Sequence, residues 1–189
     1  ARATFRREGE RTVVATIDGR PTSNPDLTHR FEVNASGGIE ELGEPDVLYR
    51  NDRGTGWVAV PWTEGAFLDA AGKPLPHPPF EWGLAAQFCD LNGDGKPDLY
   101  VCNDFQSPDR IWLNEGGGGH VRFRAAPPAM VRHTSLFSMG VDFADLNQDG
   151  RWDFTVLDML SPDPVRRLTL LDGSPTVDLD PADPLAQTQ

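Results

Sequence analysis

The sequence contains few of the residues on which several common protein classes depend. Its 2 cysteines among 189 residues are too few for a disulfide framework. Lys and Arg total 17 against 29 Asp and Glu, so the net charge is −12 and no basic surplus is available to neutralise phosphates. No apolar run approaches the roughly 18 residues that a membrane-spanning helix needs. These absences disfavour disulfide-rich scaffolds, nucleic-acid binding and a membrane span.

Long helical patterns are also missing. The 19 glycines and 17 prolines interrupt most apolar stretches, and Asp, which favours turns and metal loops, far outnumbers Glu. Short strand-like runs separated by turn residues occur instead, and they predict an all-β sandwich, barrel or propeller. The predicted strands are 12–17, 30–34, 47–50, 57–60, 84–89, 98–102, 110–113, 121–124, 139–144, 153–157 and 165–171.

Internal repeats favour the propeller among these three architectures. Residues 83–104 and 138–159 align without a gap, and both contain the order Phe, Asp-Leu-Asn, Asp-Gly, Asp and Val. A weaker repeat relates 48–60 to 111–123, and both segments are predicted to be β-hairpins with a Gly-rich connection. The alternation of hairpin and Asp-rich loop has the size of a propeller blade with four short strands.

The phase of the repeats predicts the outer half of one blade, a whole blade at about 83–125 and the inner half of the next. Residues 1–46 are predicted to be an additional hairpin or insertion, and 47–160 to be the blades, with a Pro-rich crossing at 61–82. Residues 161–189 are predicted to be a last strand and a disordered tail rich in Pro and Asp. Two to three blades cannot close a propeller, so we expect a piece of a longer protein.

The two Asp-rich loops share the pattern D-x-N-x-D-G-x-x-D. Its alternate spacing turns successive side-chain oxygens towards one centre, and the Gly at position 6 permits the sharp turn. Three carboxylates, one amide oxygen and the backbone carbonyl of position 7 suit Ca²⁺, whereas Zn²⁺ prefers Cys and His. We therefore predict two calcium sites. Their ligands are Asp90, Asn92, Asp94, the carbonyl of Lys96 and Asp98, and in the second loop Asp145, Asn147, Asp149, the carbonyl of Arg151 and Asp153.

Two other interpretations of these loops carry less weight. A polar turn without metal would explain a single copy, but two copies in register favour a metal site. In an EF-hand, position 12 would be a bidentate Glu, whereas this sequence has Val101 and Val156 there. Strands, not helices, are predicted on both sides of each loop, so a calcium-clamping strand–loop–strand unit is favoured.

The remaining candidate motifs have ordinary structural explanations. Cys89 and Cys102 stand where the second repeat has Ala144 and Leu157, which predicts buried apolar side chains, although a disulfide between them stays open. Residues 116–119, four glycines, are predicted to form a hairpin turn because no phosphate-binding Gly-Lys-Ser/Thr follows them.

The string F-x-D-L-N-x-D-G-x-x-D-(L/F)-x-V resembles the calcium loop of FG-GAP/VCBS repeats, the units of integrin-α-type β-propellers. The wider stretch 47–166 is similar to VCBS-repeat proteins of the cartilage acidic protein (ASPIC/UnbV-associated) type. This resemblance implies a seven-bladed parent propeller, calcium held by the loop residues named above, and a secreted or surface location. The ASPIC/UnbV module and adhesion signatures of the RGD or metal-ion-dependent type are not recognisable in the sequence.

The expected function is that of a calcium-stabilised, non-catalytic propeller segment. We expect it to act outside the cell, at the cell surface or in the periplasm as a structural or adhesion-like interaction module. Its expected partners are neighbouring blades of the parent chain and an unknown protein or glycan. The alternative is a glycan-binding or glycan-processing domain on the same scaffold. A concave pocket with clustered aromatics and acids not bound to calcium would favour that alternative.

Overall fold

The computed structural model describes residues 3–8, 12–17, 30–33, 39–104, 107–131, 133–135, 137–159 and 163. Strands make up nearly all of the regular structure in these residues, which confirms the all-β prediction. The chain divides into two compact units, residues 1–45 and residues 46–189. Within the described ranges, no helix has the length and apolar character needed to cross a membrane.

The first unit contains an antiparallel sheet of four strands, each paired with the next along the chain. The sequence predicted only the second and third of them. The outer two are rich in charged residues and lack the run of β-branched side chains that marks a strand. The strands are β1 (Ala3–Glu8), β2 (Thr12–Ile17), β3 (Arg30–Val33) and β4 (Ile39–Leu42).

The second unit contains, in its described residues, a five-stranded sheet and two separate hairpins. Its strands are β5 (Tyr49–Asn51), β6 (Trp57–Ala59), β7 (Phe67–Leu68), β8 (Gly83–Cys89), β9 (Asp98–Asn103), β10 (Arg110–Asn114), β11 (Phe123–Ala125), β12 (Ser138–Ala144) and β13 (Asp153–Asp158).

Strands β8, β9, β10 and β11 follow one another in an antiparallel order, which confirms the whole blade predicted at about 83–125. The β5–β6 hairpin is the predicted outer half-blade before it, and the β12–β13 hairpin is the predicted inner half-blade after it. These sheets do not close into a ring, so the unit is part of a propeller. The strand predicted at 165–171 lies outside the described residues.

The segment predicted to be a simple crossing, 61–82, also contributes a strand to the blade. Strand β7 pairs in parallel with β11, with Phe67 opposite Phe123. The ring of Phe67 is fully buried and stacks on Trp62, with 3.8 Å between the ring centroids. The Pro-rich composition predicted only a crossing here. The free energy gained by burying this ring against β11 favours a short strand despite that composition.

Strand β9, which lies between β8 and β10 inside the blade, is buried on both faces. Leu99 and Val101 belong to a core cluster that extends to the preceding hairpin, whereas Tyr100 and Cys102 belong to a cluster that extends to the following one. Because side chains alternate between the faces of a strand, the continuous apolar run of β9 places one half of its side chains in each layer. The blade is therefore the middle layer of the second unit.

The two cysteines are free, and their positions in the sheet keep them apart. Cys89 lies opposite Asp98, whereas Cys102 lies opposite Ala85, four residues further along the same pair of strands. At about 3.3 Å per residue this separation is near 13 Å, beyond the roughly 7 Å limit between the Cα atoms of a disulfide. The disulfide that the sequence left open is excluded. Cys102 is fully buried, as predicted for an apolar side chain, and Cys89 is half-buried.

We expect Cys89 of the native protein to react faster with a thiol reagent at mildly alkaline pH than Cys102. Burial raises the pKa of both thiols, but only Cys102 is fully buried. Burial raises the pKa of the Cys102 thiol to about 12, and the nearby carboxylate of Asp109 acts in the same direction, so little reactive thiolate forms. Colorimetric thiol counting checks this in the native and the denatured chain. The Cys89→Ala variant should show no fast thiol, and rapid labelling of that variant would contradict the protected position of Cys102.

Candidate functional site

The two Asp-rich loops occupy the same place in equivalent hairpins. Residues 90–97 join β8 to β9, and residues 145–152 join β12 to β13. The last paired positions are Cys89 with Asp98 in one hairpin and Ala144 with Asp153 in the other. The predicted strand–loop–strand arrangement is present. Strands lie on both sides of each loop, which is inconsistent with an EF-hand.

In the first loop, backbone amides hold the carboxylate of position 1. Oδ1 of Asp90 accepts hydrogen bonds from the N–H of Gly93 at 2.8 Å and of Asp94 at 3.0 Å. Its Oδ2 accepts from the N–H of Gly95 at 2.8 Å. Oδ1 of Asp94 in turn accepts from the N–H of Lys96 at 2.9 Å. The loop thus wraps around the acids of positions 1 and 5.

The second loop repeats most of these hydrogen bonds at the same positions. Oδ1 of Asp145 accepts from the N–H of Asp149 at 3.0 Å, and its Oδ2 accepts from the N–H of Gly150 at 2.8 Å. Oδ1 of Asn147 accepts from the N–H of Asp149 at 3.0 Å. Oδ1 of Asp149 accepts from the N–H of Arg151 at 2.9 Å. The sequence repeat is therefore also a repeat of loop structure.

Position 6 requires glycine in both loops. Gly95 and Gly150 have φ angles of +82° and +81°, in the left-handed region that residues with a Cβ rarely adopt. Position 4 is also left-handed, and there the second loop has Gln148 with φ of +60° where the first has Gly93. The backbone course is the same with either residue at position 4. The repeated Asp, Asn and Gly positions therefore determine the loop.

The acid of position 9 begins the second strand of each hairpin. The carboxylate of Asp98 is fully buried and accepts hydrogen bonds from the N–H of Asn114 at 2.7 Å and of Leu91 at 3.0 Å. Burial raises the pKa of Asp98, and the same two amides act in the opposite direction. Asp153 likewise accepts from the N–H of Leu146 at 3.0 Å. Asp98 therefore ties the first loop to β10 as well as to β9.

The side-chain oxygens of these loops are the ligand type that a hard cation prefers, and some of their acceptor positions are not used by backbone amides. A carboxylate has about four acceptor positions. Asp90 uses three of them for backbone amides and Asp98 uses two. Among the described residues, no three His, Cys, Asp or Glu side chains are arranged to hold a metal ion. The donor chemistry fits calcium, and the ligand set stays a prediction.

A buried polar cluster between the blade and the following hairpin was not predicted from the sequence. Asp109 is fully buried, and its Oδ2 accepts hydrogen bonds from the hydroxyls of Tyr100 at 2.7 Å and Ser138 at 2.6 Å. Its Oδ1 accepts from the N–H of Asn103 at 2.9 Å. The Ser-Pro-Asp triplet that ends at Asp109 recurs at 161–163, and this repetition is the one sign in the sequence that could have pointed to Asp109. We call Asp109, Tyr100, Ser138 and Asn103 the junction cluster.

Comparison with known proteins identifies the repeated units. A family model described as FG-GAP-like repeat matches residues 43–101 and 90–156, which together include both loops and more than half of the chain. Cartilage acidic protein 1 of Homo sapiens is 31% identical over 88 residues, which are 47% of this chain and 13% of that protein. The protein of the same name from Mus musculus is 30% identical over 88 residues, 47% of this chain and 14% of that protein. The chain thus matches only a small part of these relatives. No solved structure matches it.

Proposed function

Because the chain belongs to the FG-GAP-like repeat family, we propose that it is a calcium-stabilised segment of an extracellular β-propeller that serves as a structural and protein-interaction module. The supporting observation is that one acidic loop recurs with the same internal hydrogen bonds between equivalent strands of two successive hairpins. A loop that only reversed the chain would need one capping carboxylate, whereas each of these loops keeps three.

In the proposed sites, bound calcium would offset the repulsion among three carboxylates of one loop. The chain's own contribution is to hold these oxygens in place through the amides of the loop. The first site would also be coupled to β10, because the carboxylate of Asp98 accepts a hydrogen bond from the N–H of Asn114. The ligands would be Asp90, Asn92, Asp94, the Lys96 carbonyl and Asp98 in one loop, and Asp145, Asn147, Asp149, the Arg151 carbonyl and Asp153 in the other.

The proposed location outside the cell follows from the calcium affinity expected of such sites. Extracellular calcium modules bind with Kd values of about 10⁻⁴–10⁻³ M, which suits the calcium level outside cells. The name of the matched relatives refers to cartilage and to acidity, and this chain shares the acidity, with a net charge of −12. The propeller blades would then provide a rigid surface for a partner.

The glycan-processing alternative gains no support from a cavity of about 380 Å³ beside the first Asp-rich loop. A glycosidase needs two carboxyl groups flanking its substrate. The described residues that line this cavity include no Asp and no Glu. The acids of the two loops are already assigned to the calcium proposal.

We expect calcium to raise the melting temperature of the chain and a chelator to reverse the increase. A tenfold excess of calcium over Kd stabilises the folded state by about 1.4 kcal/mol for each site, and a hundredfold excess by about 2.7 kcal/mol. Scanning calorimetry with calcium, with magnesium and with chelator measures this. An unchanged melting temperature across the three conditions would contradict calcium binding.

Variants assign the increase to the loops. The double variant Asp94→Asn/Asp149→Asn removes one carboxylate from each loop, and we expect it to lose most of the calcium-dependent increase. Glu64→Gln removes one carboxylate from an exposed residue outside both loops and should keep the full increase. An equal increase in all three proteins would place calcium elsewhere in the chain.

A further inference from the structure

Although acids predominate in this chain, one cavity of the second unit collects basic side chains. It has a volume of about 380 Å³ and lies between β5, the first Asp-rich loop and the β10–β11 hairpin. Its lining includes Arg50, Lys96 and His120, and no acidic residue is among the described residues that line it. We call this cavity the basic pocket.

The three basic residues come from three different elements. Nη1 of Arg50 in β5 donates a hydrogen bond to the carbonyl of Gly119 at 3.3 Å, which holds the guanidinium against the neighbouring hairpin. Lys96 belongs to the first loop, and His120 follows the glycine turn. Within the described part of the chain none of these three has an ion-pair partner. The ion pairs seen among the described residues of this unit engage Arg110, Arg122 and Arg124 instead.

The turn that carries His120 is fixed by its backbone. Gly117 and His120 exchange two backbone hydrogen bonds of 3.1 Å, and between them Gly118 and Gly119 have φ angles of +60° and +86°. This is the geometry of a type I′ hairpin turn, as predicted for the glycine run. A Cβ on Gly116 would lie 2.6 Å from the carbonyl oxygen of His120, so the approach of the two strands requires glycine there.

Part of the remaining wall is apolar and continuous with the core. Phe123 is 4% exposed, and Leu48 and Val121 pack against the same cluster. Small-molecule sites are typically concave, of about 300–1,000 Å³, with mostly apolar walls and a few polar groups that fix orientation. The basic pocket has this combination, and the ionisable nitrogen groups in its wall are all basic.

We propose that the basic pocket binds a small organic anion, with its oxyanion group at Arg50, Lys96 and His120 and an apolar body of about one ring against Leu48 and Phe123. A bound anion would relieve the repulsion among the basic groups, and the planar guanidinium can donate two parallel hydrogen bonds to a carboxylate. The proposal depends on the lining of this cavity. It shares only Lys96 with the calcium proposal, and it uses the side chain of Lys96 where the calcium proposal uses the backbone carbonyl.

Nitrogen-15 NMR titration of the whole chain with benzoate tests this inference, with benzyl alcohol as the neutral probe of similar shape. We expect benzoate to cause saturable shifts at the amides of Lys96, Gly117 and His120, both with calcium and with chelator, and benzyl alcohol to cause none. Added salt should weaken the effect. A parallel titration with phenyl sulfate decides which oxyanion is preferred. Absence of saturable shifts with both anions, or equal binding of the neutral probe, would overturn the proposal.

Charge-matched variants show whether the pocket itself is responsible. We expect Arg50→Gln and Lys96→Gln each to weaken benzoate binding by about fivefold. The controls Arg53→Gln and Lys73→Gln remove the same charge from exposed residues outside the lining and should bind as the parent chain does. Equal weakening in all four variants would mean that only net charge is sensed. If Arg50→Gln alters the amide spectrum as a whole, Lys96→Gln decides the question.

Discussion

Replacement of Phe67 with alanine is expected to lower the free energy of unfolding by about 3–5 kcal/mol. The ring of Phe67 is fully buried and lies among three other aromatic rings, with centroid distances of 3.8 Å to Trp62, 5.3 Å to Trp112 and 5.6 Å to Phe123. Its removal loses apolar burial and leaves a cavity that these rings cannot fill without moving strands. Urea denaturation followed by tryptophan fluorescence measures the change.

Two further variants make this prediction specific. Phe88→Ala removes a ring that is 52% exposed, and it should cost no more than about 1 kcal/mol. Phe67→Leu retains most of the apolar volume and should fall between the two. If Phe67→Ala lowered the free energy of unfolding no more than Phe88→Ala does, the described packing of β7 against the blade would be contradicted.

The difference between β7 and the other strands shows what a local sequence pattern can predict. The hairpins β8–β9 and β12–β13 could be predicted from about twenty residues each, since each has one strand-like run before and one after its Asp-rich loop. Strand β7 is only two residues long and lies among prolines. Its strand conformation comes from pairing with β11, more than fifty residues away, and no local pattern reports such a contact.

The same distinction separates the parts of the candidate site. The loop acids could be named from the sequence because their hydrogen bonds join residues within the loop itself. The basic pocket brings Arg50 to Lys96 and His120 only after the blade has formed. The junction cluster joins Asp109 to Ser138 of the next hairpin. Both depend on how successive blades pack, so they became visible only in the structure.

Replacement of Asp109 with alanine is expected to lower the free energy of unfolding by about 3–5 kcal/mol. The change would leave the hydroxyls of Tyr100 and Ser138 and the N–H of Asn103 without their acceptor in a buried place. Because Ser138 begins β12 and the other two donors belong to β9, the loss would loosen the contact between the blade and the following hairpin. Asp142→Ala removes an exposed acid of β12 and should change stability by less than about 1 kcal/mol.

The pH dependence of the Asp109→Asn variant tests whether the raised pKa of Asp109 contributes to the stability of the native protein. Burial raises the pKa of Asp109, and the carboxylate of Asp158 acts in the same direction. The carboxyl group of Asp109 therefore stays protonated to a higher pH in the native protein than in the unfolded chain, where the Asp pKa is about 3.9. The resulting stability is fully present below about pH 3.9 and is lost as the pH rises through the native pKa.

Since the asparagine does not titrate, the stability difference between the parent chain and Asp109→Asn should favour the parent most at acid pH and should shrink as the pH rises. Taking the difference cancels the titration of the loop acids, which both proteins share. Urea denaturation at a series of pH values measures it. A difference that grew with pH would mean that the three donors lower the pKa of Asp109 more than burial raises it. The junction cluster would then be held together by a carboxylate that ionises more readily in the native protein than in the unfolded chain.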